Sequence, residues 1–212
     1  FMNIVLAMAL VTFIFTKGYK DNAPFEARIG WIAPDSTFAG TALGFRDHIL
    51  SVNGHPVKDS DEFAQEIYNA QEANKAAPLS IELKRDGTAD ADGSTYTFET
   101  IWHDATDEQD KNDKWREDFA NAFQWRDAYI DFVNFNTPAA KAGFRHGDMV
   151  VSVDGERVLD WAHFRNMISK SPGKELSVVV QRGAETASLI VTPWKDADEP
   201  ERGQIGVVPG NP

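Results

Sequence analysis

The sequence predicts an α+β protein built from two copies of one small unit, preceded by an apolar segment. Three observations predict this organisation. Residues 29–67 align without a gap on residues 130–168, each copy alternates strand-like runs with helical patterns, and residues 1–15 carry no charged side chain. Internal self-similarity of this kind is typical of a repeated structural unit.

The apolar segment differs from everything that follows it. Residues 1–15 contain one strongly polar side chain, Asn3. As a helix they would cover about 22 Å, whereas a hydrocarbon core of about 30 Å needs about 20 residues. We expect residues 1–16 to be the end of a transmembrane helix that begins before Phe1. The alternatives are a signal-peptide remnant, although its basic stretch and cleavage site are missing, and a buried helix of a soluble domain.

Eight pairs of identical residues mark the repeat, at an offset of 101 positions. The pairs join Asp47, Ser51, Val52, Gly54, Val57, Asp59, Phe63 and Ile67 to Asp148, Ser152, Val153, Gly155, Val158, Asp160, Phe164 and Ile168. Each copy begins with an apolar run that predicts a strand, at residues 29–32 and 130–133, and continues with small residues that can start a short helix.

Each copy then predicts a strand, a tight turn and a helix. The strand ends in a dipeptide that readily adopts the positive φ values of a hairpin turn, Asn53-Gly54 or Asp154-Gly155. An aspartate follows at the position of a helix N-cap, Asp59 or Asp160. The next apolar residues are four positions apart and therefore share one helix face, which is the pattern of a helix that packs on a core.

Two β-rich runs close each copy. They lie at residues 79–83 and 96–100 in the first copy and at residues 176–180 and 187–191 in the second. Between the copies, residues 86–118 hold 11 acidic and 3 basic side chains, which predicts a solvated linker. Trp115, Phe119 and Phe123 recur every four residues there, so we expect a short linker helix that packs onto one of the units.

Residues 137–148 read T-P-A-A-K-A-G-F-R-H-G-D, and residues 151–155 read V-S-V-D-G. They resemble the signature of bacterial PDZ domains, S-P-A-x-x-A-G-L-x-x-G-D followed by I-x-x-V-D-G. The first copy departs from it, with Ala42 and Arg46 where the signature has Gly. The resemblance implies two tandem PDZ domains, each a partly open antiparallel β-barrel with two helices, which bind peptide C-termini by adding them as a strand.

A second resemblance covers nearly the whole chain. The apolar start with Phe1-Met2-Asn3, the two units, Thr192-Pro193 and the tail G-Q-I-G-V at residues 203–207 are similar to the site-2 proteases, which are intramembrane zinc metalloproteases. In that family the second membrane helix carries the motif G-P-x-x-N. Phe1-Met2-Asn3 fits the last three positions of this motif. The resemblance implies a membrane-helix end at 1–16, PDZ domain 1 at 22–104, an acidic linker at 105–124, PDZ domain 2 at 125–194 and a tail at 195–212 that leads toward the next membrane segment.

The PDZ resemblance also implies candidate peptide-binding residues. In the second unit they are Ile130, Asp131, Phe132 and Val133 on the groove strand, with His163 and Met167 on the groove helix. In the first unit they are Ile29, Gly30, Trp31 and Ile32, with Glu62 and Glu66. The second unit keeps the signature residues Gly143, Gly147 and Asp148 and is expected to be the better binder, although a negative charge at Asp131 opposes a peptide carboxylate.

No catalytic residue and no metal ligand is predicted within this chain. The five histidines form no H-x-x-x-H, so an H-E-x-x-H zinc site of the suspected parent enzyme would lie outside it, and no cofactor is expected here. The absence of cysteine excludes thiolate zinc sites and cysteine nucleophiles. A partial calcium-loop pattern at residues 88–99 has Thr88 in its first position, so a solvated hairpin loop is favoured. A net charge of −12 excludes nucleic acid as a partner.

The expected function is that of the periplasmic tandem PDZ region of a site-2 metalloprotease, inactive on its own. It would recognise or gate membrane-anchored protein or peptide substrates, and it would contact the inner membrane through residues 1–16. Two alternatives stay open. One is the PDZ region of an HtrA-like periplasmic serine protease, and the other is a non-enzymatic, membrane-anchored peptide-binding scaffold.

Overall fold

The computed structural model describes residues 24–74, 77–85, 94–101, 109–195 and 199–210. The expected membrane helix at residues 1–16 lies outside these ranges, as do residues 88–93 of the calcium-like pattern. Within them, no helix combines the length and the apolar character needed to cross a membrane.

The first copy of the repeat forms a four-stranded antiparallel sheet. Its spatial order is β2-β1-β3-β4, with β1 at His48–Val52, β2 at His55–Pro56, β3 at Pro78–Lys84 and β4 at Thr95–Ile101. Helix α1 (Ser60–Ala73) connects β2 to β3. It buries Phe63 and Ile67 in the same core as the sheet.

Residues 29–32 do not form the predicted strand. Neighbouring amides there bond to different segments, because Ile29 N–H donates to the Asp47 carbonyl and Gly30 N–H to the Ala122 carbonyl. Isolated bridges join Arg28 to His48 and Glu26 to Asp59 instead. The apolar pattern correctly predicts burial here, but it does not show where the backbone hydrogen bonds go.

Helix α2 (Gln109–Ala122) belongs to the core of the first sheet. Trp115, Phe119 and Phe123 are all buried, and the ring centroids of Phe119 and Phe123 lie 4.3 Å apart. Both phenylalanines also stack on Phe63 of α1. The expectation that these aromatic residues pack a helix onto one of the units is confirmed.

The second copy repeats the architecture of the first. Strand β5 (Ile130–Val133) and helix α3 (Pro138–Ala142) precede a sheet of order β7-β6-β8-β9, in which helix α4 (Trp161–Ser169) follows β7. The strands of this sheet are β6 (Met149–Val153), β7 (Glu156–Arg157), β8 (Leu176–Arg182) and β9 (Glu185–Val191). A bulge lies at equivalent places in the two sheets, between Ile49 and Ser51 and between Val150 and Ser152.

Three short strands follow β9. Strand β10 (Trp194–Lys195) pairs with β11 (Gly203–Gln204), and β12 (Val207–Pro209) pairs antiparallel with β5. The last pairing joins residues more than 70 positions apart in the chain. Residues 207–209 therefore add a strand to the second unit.

Turns and caps agree with the sequence pattern. Asn53 and Asp154 adopt φ values of 49°, and the glycine after each also has positive φ, as the hairpin turn requires. Asp59 caps α1 by accepting from the amides of Asp61 and Glu62, and Asp160 caps α4 by accepting from the amide of His163. These local predictions are confirmed.

A buried aspartate anchors the loop before the first strand of each sheet. Asp148 is fully buried and accepts from Arg145 N–H at 2.9 Å and from Arg182 Nε at 2.6 Å. Asp47 is its equivalent and accepts from Gly44 N–H at 2.9 Å and from the Tyr96 hydroxyl. Burial, together with the hydrogen bond to Asp47, raises the pKa of Tyr96 to about 12.

The first unit keeps this loop although it lacks the signature glycine. Arg46 has a φ of 68°, and Gly147 at the equivalent position has a φ of 90°. The same backbone hydrogen bond closes both loops. The Gly44 carbonyl accepts from Asp47 N–H, and the Arg145 carbonyl accepts from Asp148 N–H. A left-handed conformation costs a residue other than glycine about 1–2 kcal/mol, and the anchored aspartate holds Arg46 in it.

We expect Arg182→Met to lower the free energy of unfolding by about 3 kcal/mol, because it leaves the buried Asp148 charge unpaired. Arg157→Met, on exposed β7, is the control and should change it by less than about 0.5 kcal/mol. Urea unfolding followed by tryptophan fluorescence measures both. Equal losses in the two variants would show that Asp148 does not depend on the guanidinium of Arg182.

Candidate peptide-binding cleft

An open cleft of about 270 Å³ lies in the second unit between α4 and the tail. One wall is the side of α4 that carries Trp161, Phe164 and Ile168. The opposite wall is the chain at residues 202–207, and Asn134 lies at the edge. We call this space the tail cleft.

Backbone hydrogen bonds hold the tail wall in place. The Gly206 carbonyl accepts from Asn134 N–H and the Ile205 carbonyl from Ala139 N–H, both at 2.9 Å. Beyond them, Val207 and Val208 face Val133 and Phe132 in the β5 ladder. Within the described residues β12 has β5 as its one strand partner, so its other edge is an unpaired strand edge beside α4.

Two glycines bring the tail close to its neighbours. Gly206 has a φ of 80°, and a Cβ added there would overlap the side chain of Thr137. A Cβ added at Gly203 would overlap the carbonyl oxygen of Ile168, near the end of α4. Glycine permits both a left-handed φ and a close backbone approach, so these positions let the tail wall lie close to the end of α4 and to Thr137.

The structure separates the predicted groove residues of the second unit from the tail cleft. Ile130 is fully buried, and β12 lies between β5 and the space beside α4. The other side of β5 is also engaged, because Ile130 N–H donates to the Asp148 carbonyl at 2.8 Å. Asp131 and Phe132 are exposed and Val133 is half-buried, and none of the three lines the tail cleft.

The predicted helix is the wall of the tail cleft, but different residues of it face the space. His163 is buried, and its ring stacks on Trp31 of the first unit at a centroid distance of 4.6 Å. Met167 packs against the core of the second unit. The side that faces the cleft carries Trp161, Phe164, Arg165 and Ile168 instead.

The corresponding space in the first unit is filled by the chain itself. Phe119 and Phe123 stack on Phe63, which is the repeat equivalent of Phe164. The predicted strand amides are engaged as well, since Gly30 N–H donates to Ala122 and Trp31 N–H to Asp160.

The remaining predicted residues of the first unit have local roles. Ile29 is fully buried and Ile32 packs against the first core. Glu62 accepts from Lys58 N–H at 3.0 Å, and a Glu66 oxygen lies 3.8 Å from His55 Nδ1.

Two guanidinium groups lie at the tail cleft, each with a glutamate nearby, and Arg165 lies 3.8 Å from Glu117. Arg202 directly precedes the tail loop and lies 3.7 Å from Glu199, and Arg165 projects from α4. Both side chains are about two-fifths exposed, at 40% and 41%. The sequence offered a signal for this wall in the G-Q-I-G-V tail, but that pattern did not show which strand it would pair with.

The described residues offer no group of side chains that could bind a metal ion. Across the ranges that the structure describes, no group of three or more His, Asp or Glu side chains could hold a metal ion. The residues present therefore do not fit a zinc site.

Comparison with known families and proteins identifies the domain type. The PDZ domain family matches residues 105–192, which confirms a PDZ domain in that part of the chain. A solved PDZ domain of the SdrC-like protein from Listeria monocytogenes is 18% identical, with a TM-score of 0.35, and the match covers 41% of this chain and 90% of that one.

Curated relatives match the chain almost from end to end. A Neisseria meningitidis protein whose name carries the words zinc metalloprotease is 28% identical over 97% of this chain and 43% of its own length. The regulator of sigma-E protease RseP of Salmonella typhimurium is 26% identical over 98% of this chain and 44% of its own length. The chain thus spans less than half the length of these relatives. The regulator of sigma-W protease RasP of Bacillus subtilis is 34% identical over 34% of this chain and 17% of its own length.

Gly206→Ala tests how the tail wall is held. It should loosen β12 from β5, because the added methyl group overlaps Thr137 in addition to straining the backbone. Gly155→Ala is a matched control, since Gly155 has a φ of 82° and nothing lies within 4 Å of an added Cβ. The control should cost only the strain of about 1–2 kcal/mol.

Amide hydrogen exchange at Asn134 and Ala139, which donate to the tail carbonyls, measures the loosening. We expect faster exchange at both amides in Gly206→Ala and not in Gly155→Ala. Unchanged exchange in Gly206→Ala would show that Thr137 yields and that the glycine does not fix the wall.

Proposed function

Because this chain contains a PDZ domain and is related to the site-2 proteases along almost its whole length, we propose that it recognises protein substrates for an intramembrane zinc metalloprotease. The tail cleft is the proposed binding site. The substrates are proposed to be membrane-anchored proteins or peptides, and the PDZ region is proposed to stand on the periplasmic side of the inner membrane, with residues 1–16 in the membrane.

One observation carries this proposal: the unpaired edge of β12 lies beside the apolar side of α4. A strand edge offers a row of backbone N–H and C=O groups to an incoming chain. Peptides that add to such an edge gain main-chain hydrogen bonds, and pockets for alternate side chains supply specificity. Trp161 and Val207 line the cleft and are half-buried, so they offer an apolar surface for one such side chain above the buried Phe164 and Ile168.

The loop at residues 202–206 favours a peptide that ends beside it. Gly203 and Gly206 let this loop lie close to α4 and to Thr137, and the Arg202 guanidinium lines the same space. A free carboxylate is the group that matches backbone N–H donors and a guanidinium together. A C-terminal peptide with an apolar last residue is therefore the proposed ligand class.

We propose that the two units together contact substrates weakly and do not retain them. The space of the first unit is occupied by its own aromatic residues, so one open cleft of this kind is left to contact substrates in the described part of the chain. Zinc would belong to the part of the parent enzyme that this chain does not cover, and no step of its chemistry is assigned to these residues. No observation favours the HtrA-like or the scaffold alternative.

Fluorescence anisotropy tests the site with fluorescein-labelled octapeptides that end in Ala, Val, Leu or Phe. Each is used with a free C-terminus and as the C-terminal amide. We expect the free acids to bind more tightly than the amides. Arg202→Ala should weaken free-acid binding about tenfold, which corresponds to the loss of about 1.4 kcal/mol from one charge-assisted contact, and it should leave the amides unchanged.

Two control variants separate the tail cleft from the site that the sequence predicted. Asp131→Asn changes an exposed residue of β5, and Arg157→Ala removes an exposed guanidinium elsewhere. Neither should alter affinity if the tail cleft binds. Tighter binding in Asp131→Asn with no effect of Arg202→Ala would instead return the site to residues 130–133.

A further inference from the structure

We propose that Trp31 of the first unit is a positioning residue for the tail cleft, which it acts on through Asp160 and His163 at the start of α4. The inference rests on the proposed function of that cleft. It assigns the first unit a role in peptide binding although its own groove is filled.

One buried carboxylate joins the two units. Asp160 is the N-cap of α4 and is 1% exposed. One of its oxygens accepts from His163 N–H at 2.8 Å. Its other oxygen accepts from Trp31 N–H at 2.6 Å. The group that starts the cleft helix is therefore also bonded to the backbone of the first unit.

The Trp31 side chain adds a second contact at the same point. Its ring stacks on the His163 ring with an interplanar angle of 21°. Polar groups also contact both ring nitrogens of this imidazole. Leu159 N–H donates to Nδ1 at 3.3 Å, and Glu156 lies 3.5 Å from Nε2. Burial raises the pKa of the Asp160 carboxyl, and the amides of His163 and Trp31 oppose that rise.

Further contacts hold α4 along its length. Arg165 Nη2 donates to Asn121 Oδ1 of α2 at 2.6 Å, and Trp161 N–H donates to the Arg126 carbonyl at 2.8 Å. Just beyond the helix end, Lys170 Nζ lies 3.6 Å from Asp35 Oδ2. The first unit and α2 thus contact this helix at its start, its middle and its end.

The equivalent helix of the first unit lacks this arrangement. Asp59 caps α1 in the same way, and its described contacts stay within the first unit. The two aspartates are repeat equivalents, so a comparison of them isolates the contact between units from the capping role.

Fixing α4 before a peptide arrives lowers the ordering cost of binding, and by linkage a bound peptide must strengthen the contact between units by the same factor.

The experiment compares Trp31→Ala, Asp160→Asn and the control Asp59→Asn in the full 212-residue chain. Trp31→Ala removes the ring stack. Asp160→Asn keeps one acceptor oxygen, so the cap and the Trp31 amide can no longer both be satisfied. Hydrogen exchange of the α4 amides reports on helix position without any ligand, and anisotropy with the free-acid octapeptide ending in Val reports on the cleft.

We expect both interface variants to speed exchange of the α4 amides at least fivefold and to weaken the octapeptide at least fivefold, while Asp59→Asn changes neither. The chain contains no cysteine, so Asp35→Cys with Lys170→Cys provides a unique pair for a short bis-maleimide cross-link. Cross-linking should restore affinity to Trp31→Ala, which it would not do if that variant had merely damaged the fold.

Unchanged α4 exchange in both interface variants would overturn the inference, as would equal losses in Asp59→Asn or a failure of the cross-link to restore affinity. Faster exchange with unchanged peptide affinity would also overturn it. If the octapeptide bound no form of the chain while α4 exchange still responded to Trp31→Ala, the proposed function would fail and the positioning of the helix would stand.

Discussion

The charge of Asp148 is the constraint on which the second unit depends. A carboxylate removed from water is costly unless it is paired and hydrogen-bonded, and Arg182 and the amide of Arg145 meet that need. These bonds tie β8 to the loop before β6. The Asp148 carbonyl in turn accepts from Ile130 N–H, which fixes β5. One edge of β5 is thereby committed to the loop, and its other edge is left to receive β12 and to create the tail cleft.

The two copies show how one architecture reaches two outcomes. Both keep the buried aspartate, the bulged first strand and the capped helix. In the first copy the helix that follows the sheet returns across the groove and inserts its aromatic side chains. In the second copy the returning segment is a thin strand with glycines at positions 203 and 206, which leaves space beside α4. The size of the returning side chains therefore decides whether a groove is open.

Much of the fold could be predicted because its determinants are local. The turn at Asn53-Gly54, the cap at Asp160 and the β-rich run at residues 176–180 each depend on residues within a few positions of one another. The pairing of β12 with β5 could not be predicted, since three residues carry no period and their partner is more than 70 positions away. The sequence predicted a groove at β5, whereas the open cleft of the second unit lies on the other side of β12. The four-residue spacing of Phe164 and Ile168 correctly predicted the face of α4 that packs on the core.

The place of β12 in the chain has a mechanical consequence. It is the last strand described, and it is joined to the second unit mainly by its ladder with β5 and by the bond from Gly210 N–H to the Tyr129 carbonyl. A force applied to the chain beyond Gly210 would load that bond first and then reach the Pro209 and Val208 pairs in turn. The wall of the tail cleft is thus directly exposed to tension, and the bonds from Asn134 and Ala139 N–H to the Gly206 and Ile205 carbonyls would be loaded next.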